Sequence, residues 1–365
     1  STVESYKQVS LTDNGGIINK ITGKLTAGMT GLYAYDLDVR NESCGRRLQT
    51  ILKLKSKNNC INDFGQILAY LSGIDKLPGL MEKHRGIFGF ENSSIREIEI
   101  YNKADARIRE YCPRIYGTMV DDEKEVCGIL MERFSEESHS HTDTINRPYM
   151  WDDSSIKTVL DGMADIHSVY FNRTDELRLD NVTSNTGFEY LKARDLLSTI
   201  TTYNASRFTG FMEDKLTVRC LDFLYDINNN IKSMKRFPST LTHNDFNPRN
   251  ICIKRDNGIR KLVVYDWELA SIQNPQHDLA EFLVFALEEV KDRETVTRYI
   301  DYYIEKLEEM TAYSIDKELF YEVLRLNLLE LAVVRFNLYL FAHGIMKFSF
   351  IDRAYKNLAA LVEMI

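Results

Sequence analysis

The chain has 365 residues, 44% of them hydrophobic and 27% charged, with a formal net charge of −8. That length exceeds one small core and suits two lobes, and an acidic balance argues against general nucleic-acid binding, which relies on clustered Lys and Arg. The six cysteines (Cys44, Cys60, Cys112, Cys127, Cys220 and Cys252) form no C-x-x-C pair and match no zinc spacing. They are expected to be reduced, mostly buried thiols of a cytoplasmic protein. The opening Ser-Thr-Val-Glu-Ser lacks the basic and apolar regions of a signal peptide. No apolar run is expected to reach the roughly 18 residues of a membrane span, because Glu330, Arg335 and Asn337 interrupt Leu328–Val334 and Leu338–Phe341. Neither a membrane nor a nucleic-acid partner is expected, and oligomeric state is not legible.

The first part of the chain reads as strands. Ile17–Lys24 leads through a glycine-containing turn to Leu32–Val39, which places Tyr33, Tyr35, Leu37 and Val39 on one face. A turn at Asn41–Gly45 precedes a third strand, Leu48–Lys55. Ile61–Leu71 reads as a helix, followed by a stretch broken by Gly73, Pro78, Gly79, Gly86 and Gly89. Ser94–Glu110 reads as one helix. Ile115–Met119 and Cys127–Met131 read as strands around the acidic turn Asp121–Glu125, and Phe134–Arg147 as a polar linker with a loop.

From Asp152 the pattern becomes helical. Asp153 or Ser154 is placed to cap Ile156–Phe171, and further helices follow at Tyr190–Thr201 and Asp214–Met234. Thr240–Trp267 reads as loop, strand, turn, strand, and helices follow from Asp278. The predicted order is an α+β chain with a sheet-rich N-terminal lobe over 1–134, carrying an insertion at about 56–95, and a helical C-terminal lobe over 135–365.

The strongest chemical signal is Leu-Thr-His-Asn-Asp-Phe-Asn-Pro-Arg-Asn at 241–250, followed by Leu-Val-Val-Tyr-Asp-Trp-Glu at 262–268. The first contains H-x-D-x-x-x-x-N, with His243, Asp245 and Asn250; the second sets Asp266 at the end of an apolar strand. Phosphoryl transfer needs a base near the acceptor hydroxyl and oxygen ligands that hold Mg²⁺ on the phosphates. Carboxylate and amide oxygens suit that hard cation. Asp245, Asn250 and Asp266 supply one base and two ligands on neighbouring loops.

These stretches resemble the catalytic loop and metal-binding segment of the aminoglycoside phosphotransferase and choline kinase-like superfamily, relatives of the protein kinases. The resemblance covers roughly residues 15–290, with specific motifs only in the 240–280 stretch. It implies a bilobal protein-kinase-like fold in which His243 supports the loop and Asp245 positions and deprotonates the acceptor. It further implies that Asn250 and Asp266 bind Mg²⁺ and that the N-terminal lobe binds ATP or GTP.

Within that lobe, Lys53 and Lys55 share a strand face. The residue two before the lysine should pack on the base, and Ile51 suits this better than a lysine does, so Lys53 is the phosphate lysine of choice. Glu97 is its partner, on the stripe with Tyr101, Ala104 and Ile108. Glu99 aligns instead with Lys103 as a solvated pair. The Thr26–Gly31 turn, with Gly28, Thr30 and Gly31, is a candidate phosphate cover, and Met131 and Glu132 are candidate base contacts.

His167 reads as structural, and Asp278 as a helix cap or a brace of the catalytic loop. The Ser138, His139, His141 and Thr142 cluster reads as a flexible loop in preference to a metal site. The insertion could be a lid, a substrate wall or a partner surface.

The predicted activity is transfer of a γ-phosphoryl group to a hydroxyl of a small molecule. Amino sugars, aminoglycosides or other natural products, and choline- or ethanolamine-type alcohols all fit. Glu281, Glu330 and Tyr339 are candidates to receive a cationic acceptor. A protein kinase is disfavoured by the lack of D-F-G and A-P-E motifs. A non-catalytic nucleotide-binding module is disfavoured by retention of every catalytic residue type. A domain of a larger synthetase is a further reading, because the sequence begins without methionine.

Overall fold

A computed structural model describes residues 2–11, 30–40, 45–56, 60–184 and 188–365. The N-terminal half is built on a five-stranded antiparallel sheet of strands β1 (Thr2–Val9), β2 (Gly31–Arg40), β3 (Gly45–Ser56), β4 (Ile115–Asp121) and β5 (Val126–Glu132), in the order β1-β2-β3-β5-β4. Tyr33 pairs with Leu52 and Lys53 with Ile129, so β3 lies mid-sheet. The outer strand differs from the sequence reading. Thr2–Val9 pairs with β2, while Ile17–Lys24 falls outside the described residues. Almost every β1 residue is exposed, so it carries no apolar alternation by which to recognise it.

Helices α1 (Cys60–Leu71) and α2 (Leu77–Lys83) occupy the insertion. The long helix expected at Ser94–Glu110 is two: α3 (Ser93–Lys103) and α4 (Ala106–Arg109). Asp105 breaks the run by accepting the N–H of Arg107 at 2.8 Å, which starts a new helix.

The linker expected at Phe134–Arg147 contains strand β6 (His139–Ser140), which pairs with β9 (Ile251–Asp256), itself paired to β10 (Ile259–Val264). His139 is buried, and His141 Nε2 meets the Met150 carbonyl at 2.8 Å. This segment is therefore part of a sheet and not a free loop. Helix α5 (Asp153–Ser168) is capped by Asp152, one residue before the expected cap, which accepts the Ser155 N–H at 2.8 Å.

Helices α6 (Phe188–Lys192), α7 (Arg194–Arg207), α8 (Asp214–Tyr225) and α9 (Ile227–Met234) follow. A small sheet joins β7 (Thr183–Ser184), β8 (Thr240–Thr242) and β11 (Ser271–Gln273) in the order β7-β11-β8. Helix α10 (Gln276–Ala286) is buried along its whole length, as a helix at the centre of a helical layer must be.

Against it pack α12 (Lys317–Leu331) and α14 (Ile351–Met364), while α11 (Arg293–Thr311) packs on α5 and α13 (Asn337–Met346) on α7. Helices α12 and α13 are joined by a π-helical turn, Ala332–Phe336. The run Lys317–Met346 is long and apolar enough to cross a membrane by length and composition, contrary to the sequence reading. Yet 67% of its most apolar window is buried inside the fold, as in a core helix.

Candidate active site

The mid-sheet position of β3 aims two lysines at helix α3. Lys53 Nζ lies 2.7 and 2.9 Å from the carboxylate oxygens of Glu97 and 2.7 Å from Asp266 Oδ1. Lys55 Nζ lies 3.1 Å from Glu97, 3.0 Å from Asp266 and 2.9 Å from Glu268. The choice of Lys53 and Glu97 matches this geometry. Lys55 and Glu268 were missed, because the apolar Ile51 two residues before Lys53 was used to choose one of two lysines that share a strand face and both point inward.

Three carboxylates face two ammonium groups here, and the surroundings oppose ionisation of Glu268. Burial, the largest influence, raises its pKa, and Asp266 adds to the rise against the opposing lysines. Asp266 goes the other way. Burial would raise it, but Lys53 and Lys55 together hold it far below the usual carboxylate range. Lys55 is held charged by Asp266, Glu268 and Glu97 despite its burial.

Tyr101, one turn beyond Glu97, closes the junction. Its hydroxyl donates to Glu97 at 3.2 Å and accepts the backbone N–H of Asp266 at 3.1 Å. Asp266 itself adopts φ 65°, ψ 52°, a left-handed conformation uncommon for residues other than glycine and enriched at functional sites.

The catalytic-loop motif lies between β8 and β9. Asp278, inside α10 and not at its cap, accepts the N–H groups of His243 (2.7 Å) and Asn244 (2.9 Å). His167 Nε2 lies 3.1 Å from the same carboxylate and its Nδ1 lies 2.6 Å from the Tyr303 hydroxyl, so this histidine is structural as expected. Burial opposes ionisation of Asp278, but its hydrogen bond from His167 and the nearby His243 and His277 lower its pKa overall.

His243 Nε2 meets the Tyr265 carbonyl at 3.0 Å, and its ring packs on Trp267 with centroids 4.8 Å apart. It joins the loop to the Tyr265–Trp267 segment as a positioning residue. One helical turn after Asp278, Glu281 accepts the Phe246 N–H at 2.8 Å and the Asn247 side-chain amide at 3.2 Å. Burial, with the nearby Asp245 charge, pushes its pKa up to about 7.

These supports present Asp245 to the cleft. Its carboxylate accepts from Asn250 Nδ2 at 2.6 Å, Asn247 Nδ2 at 3.0 Å and the Tyr339 hydroxyl at 3.3 Å. Because Asn250 spends its amide nitrogen on Asp245, its carbonyl oxygen remains for a cation. The backbone carbonyl of Asn250 accepts the Tyr265 N–H at 2.9 Å, which fixes this residue next to the Asp266 segment. An amide oxygen and a carboxylate held ionised, on adjoining segments, form the hard-donor set that Mg²⁺ prefers. Among the described residues no group of three or more His, Cys, Asp or Glu side chains is arranged to hold a metal by itself.

Lys53, Lys55, Asp245, Asn250, Asp266 and Glu268 line one cleft of about 500 Å³, with Ile51 among others. Met131 and Glu132 line it too, as does the insertion through Phe64, Phe88 and Phe90. The insertion is thus a wall of the cleft. The Glu132 N–H is already donated to the Arg114 carbonyl at 2.9 Å. Thr30 and Gly31 stand at the start of β2, with Gly31 at φ 147°; Gly28 lies outside the described residues.

Other expectations need correction. Glu99 does pair with Lys103, at 3.0 Å, but it is buried and accepts the N–H groups of Asp180 and Asn181 at 3.0 and 2.8 Å. A loop remote in sequence covers it, which local periodicity cannot register. Glu281 sits fully buried behind the catalytic loop, and Glu330 lines a separate cavity of about 210 Å³. Of the three candidates to receive an acceptor, only Tyr339 faces the cleft. The buried Arg96 was also missed. It donates to the carbonyls of Gly89, Glu91, Asn181 and Glu268, tying the insertion to the metal segment.

The model of the phosphotransferase enzyme family, APH, matches residues 95–313, more than half of the chain, and the chain belongs to that family. Similar solved structures include the choline kinase LicA from Streptococcus pneumoniae, with 15% identity over 99% of this chain and 95% of that one and a TM-score of 0.47. A Plasmodium vivax ethanolamine kinase shows 13% identity over 98% of this chain and 82% of that one, TM-score 0.45. The GDP complex of aminoglycoside 2'-phosphotransferase-IIIa shows 10% identity over 99% and 93%, TM-score 0.45. No curated protein matches the sequence.

Proposed function

We propose that this protein transfers the γ-phosphoryl group of ATP or GTP, with Mg²⁺, to a hydroxyl of a small molecule. The observation that carries the reading is the meeting on one cleft of the Lys53–Glu97–Asp266 junction and the Asp245–Asn250 pair. Bound Mg²⁺ would be held by Asp266 and the Asn250 amide oxygen, and supplies charge neutralisation for the phosphates. Lys53 and Lys55 orient the phosphate oxygens, and Ile51 and Met131 offer an apolar surface for the base. Asp245, fixed by three donors, accepts the proton of the acceptor hydroxyl as the oxygen attacks phosphorus. Most of the rate gain comes from positioning and preorganised charge.

The test is calorimetric titration with ATP and GTP, with and without Mg²⁺, on the wild type and on Asp266→Asn. Magnesium-dependent binding that the variant loses supports the reading. Absence of nucleotide binding by the wild type with Mg²⁺ present overturns it.

A further inference from the structure

The cleft carries a second set of cations, on the helical side, which phosphate binding by the lysines does not use. Arg249, inside the catalytic-loop motif, and Arg335, in the π-helical turn between α12 and α13, both line it. Arg335 is 7% exposed. One of its terminal nitrogens donates to the Asn244 carbonyl at 2.7 Å, and its Nε has no partner among the described residues. Arg249 donates to the Tyr339 hydroxyl at 2.5 Å and lies over the Tyr339 and Phe350 rings, 5.3 and 5.5 Å from their centroids.

Among the described residues Asp245 forms an ion pair with Arg249 at 4.0 Å, and Asp245 and the buried Glu281 help hold both guanidinium groups charged against their burial. Asp245 is the proposed base and is already held by other donors. Asp143, the other carboxylate on this stretch of the cleft wall, lies by Tyr265. Burial is the largest influence opposing both charges, and a ligand anion would offset it further. Arg335, in the π-helical turn, shares the i, i+3, i+4, i+7 face with Leu338, Tyr339 and Ala342, and all four line the cleft. Such turns recur at functional sites.

We propose that the phosphate acceptor is itself an anion. It is a hydroxylated molecule bearing a carboxylate or phosphate, which Arg335 and Arg249 grip, with an apolar portion resting on Leu338, Ala342 and Phe348. This rests on the phosphotransferase reading and replaces the expectation of a cationic acceptor. An ammonium group at this place meets two guanidinium charges and finds no free carboxylate except the base. Guanidinium forks match carboxylate and phosphate oxygens in geometry as well as charge.

The test loads the protein with Mg²⁺ and a non-hydrolysable ATP analogue, so that the lysine side is filled. Glycerate, glycerol 3-phosphate, glycerol and choline are then titrated by calorimetry. Expected is binding of glycerate or glycerol 3-phosphate, the stronger of the two naming the anion, with little affinity for glycerol or choline. Arg335→Gln and Arg249→Gln should each weaken it about ten-fold or more without altering nucleotide affinity, and Arg335→Lys should recover part of the loss. A merely structural role for Arg335 would leave the order of preference among the four probes unchanged. Equal or better binding of choline, anion binding indifferent to both substitutions, or no anion binding by the nucleotide-loaded wild type overturns the proposal. Failure to bind the nucleotide analogue is a failure of the phosphotransferase reading; glycerate and glycerol 3-phosphate titrated into the nucleotide-free protein and its Arg335→Gln variant then decide the arginine site separately.

Discussion

Lys53 and Asp266 lie 213 residues apart in the chain and 2.7 Å apart in space. The contact joins a strand of the sheet to the segment after β10, and Glu97 completes it from helix α3 at 2.7 Å. Lys53→Met leaves Glu97 buried with Lys55 as its remaining cation partner. Nucleotide turnover should fall about 10²–10³-fold, the range for loss of one preorganised charge at a developing negative centre. Lys55→Met should also weaken nucleotide binding, since both ammonium groups reach the same Asp266 oxygen. Steady-state kinetics on the two variants check this, and wild-type kinetics from both would contradict it.

Asp278 holds two loop N–H groups and His167 at once. Asp278→Ala leaves all three without their acceptor in a buried place, which costs about 3–5 kcal/mol. Denaturant melts should show that loss, together with reduced turnover, because Asp245 sits two residues beyond the released His243. Asp278→Asn keeps one acceptor oxygen and should lose less.

Glu281 makes stability depend on pH. Its folded-state pKa is about 7 against an ordinary value of 4.5. Between those values the folded protein binds more protons than the unfolded chain, so this group's contribution to stability falls as pH rises. Glu281→Gln cannot lose a proton, so its stability relative to the wild type should improve from pH 4.5 to 7, by on the order of a few kcal/mol. Urea denaturation across that window measures it, and a constant difference between the two proteins would refute the assignment.

Gly162 faces β10 from helix α5. A Cβ there would come within 2.7 Å of the Leu262 side chain and 3.0 Å of Tyr111. Gly162→Ala should therefore destabilise by about 1–3 kcal/mol through overpacking, even though alanine is the better helix former. A raised melting temperature would show that the contact relaxes freely.

The parts of the site legible in the sequence were those fixed by short-range pattern. His243, Asp245 and Asn250 share one loop, and Asp266 closes an apolar strand. Glu97 could be chosen by its helix face, and Lys53 by the apolar Ile51 two residues before it. What stayed hidden depended on distant chain segments. Glu99 looks solvated until the 180–181 loop covers it. Glu281 looks available until the catalytic loop folds over it. Arg249 stood inside the recognised motif yet drew no reading, because its significance comes from Tyr339 and Phe350, about a hundred residues later in the chain. Arg335 was read only as an interruption of an apolar run. That it lines the cleft depends on what the helix packs against, which local periodicity does not register. Strand Thr2–Val9 was missed because it buries almost nothing, so the burial pattern that betrays other strands is missing.

The most direct test of the central claim is Asp245→Asn, assayed for Mg²⁺-dependent nucleotide turnover across an acceptor panel and, separately, for nucleotide binding. Asp245 accepts hydrogen bonds from Asn250, Asn247 and Tyr339, and an amide of the same shape cannot take a proton from the acceptor. Expected is unchanged nucleotide affinity with turnover lowered about 10²–10⁴-fold, the usual contribution of a positioned general base. Turnover by the variant equal to that of the wild type would contradict the assignment of Asp245 as the base and, with it, the phosphotransferase mechanism drawn from this cleft.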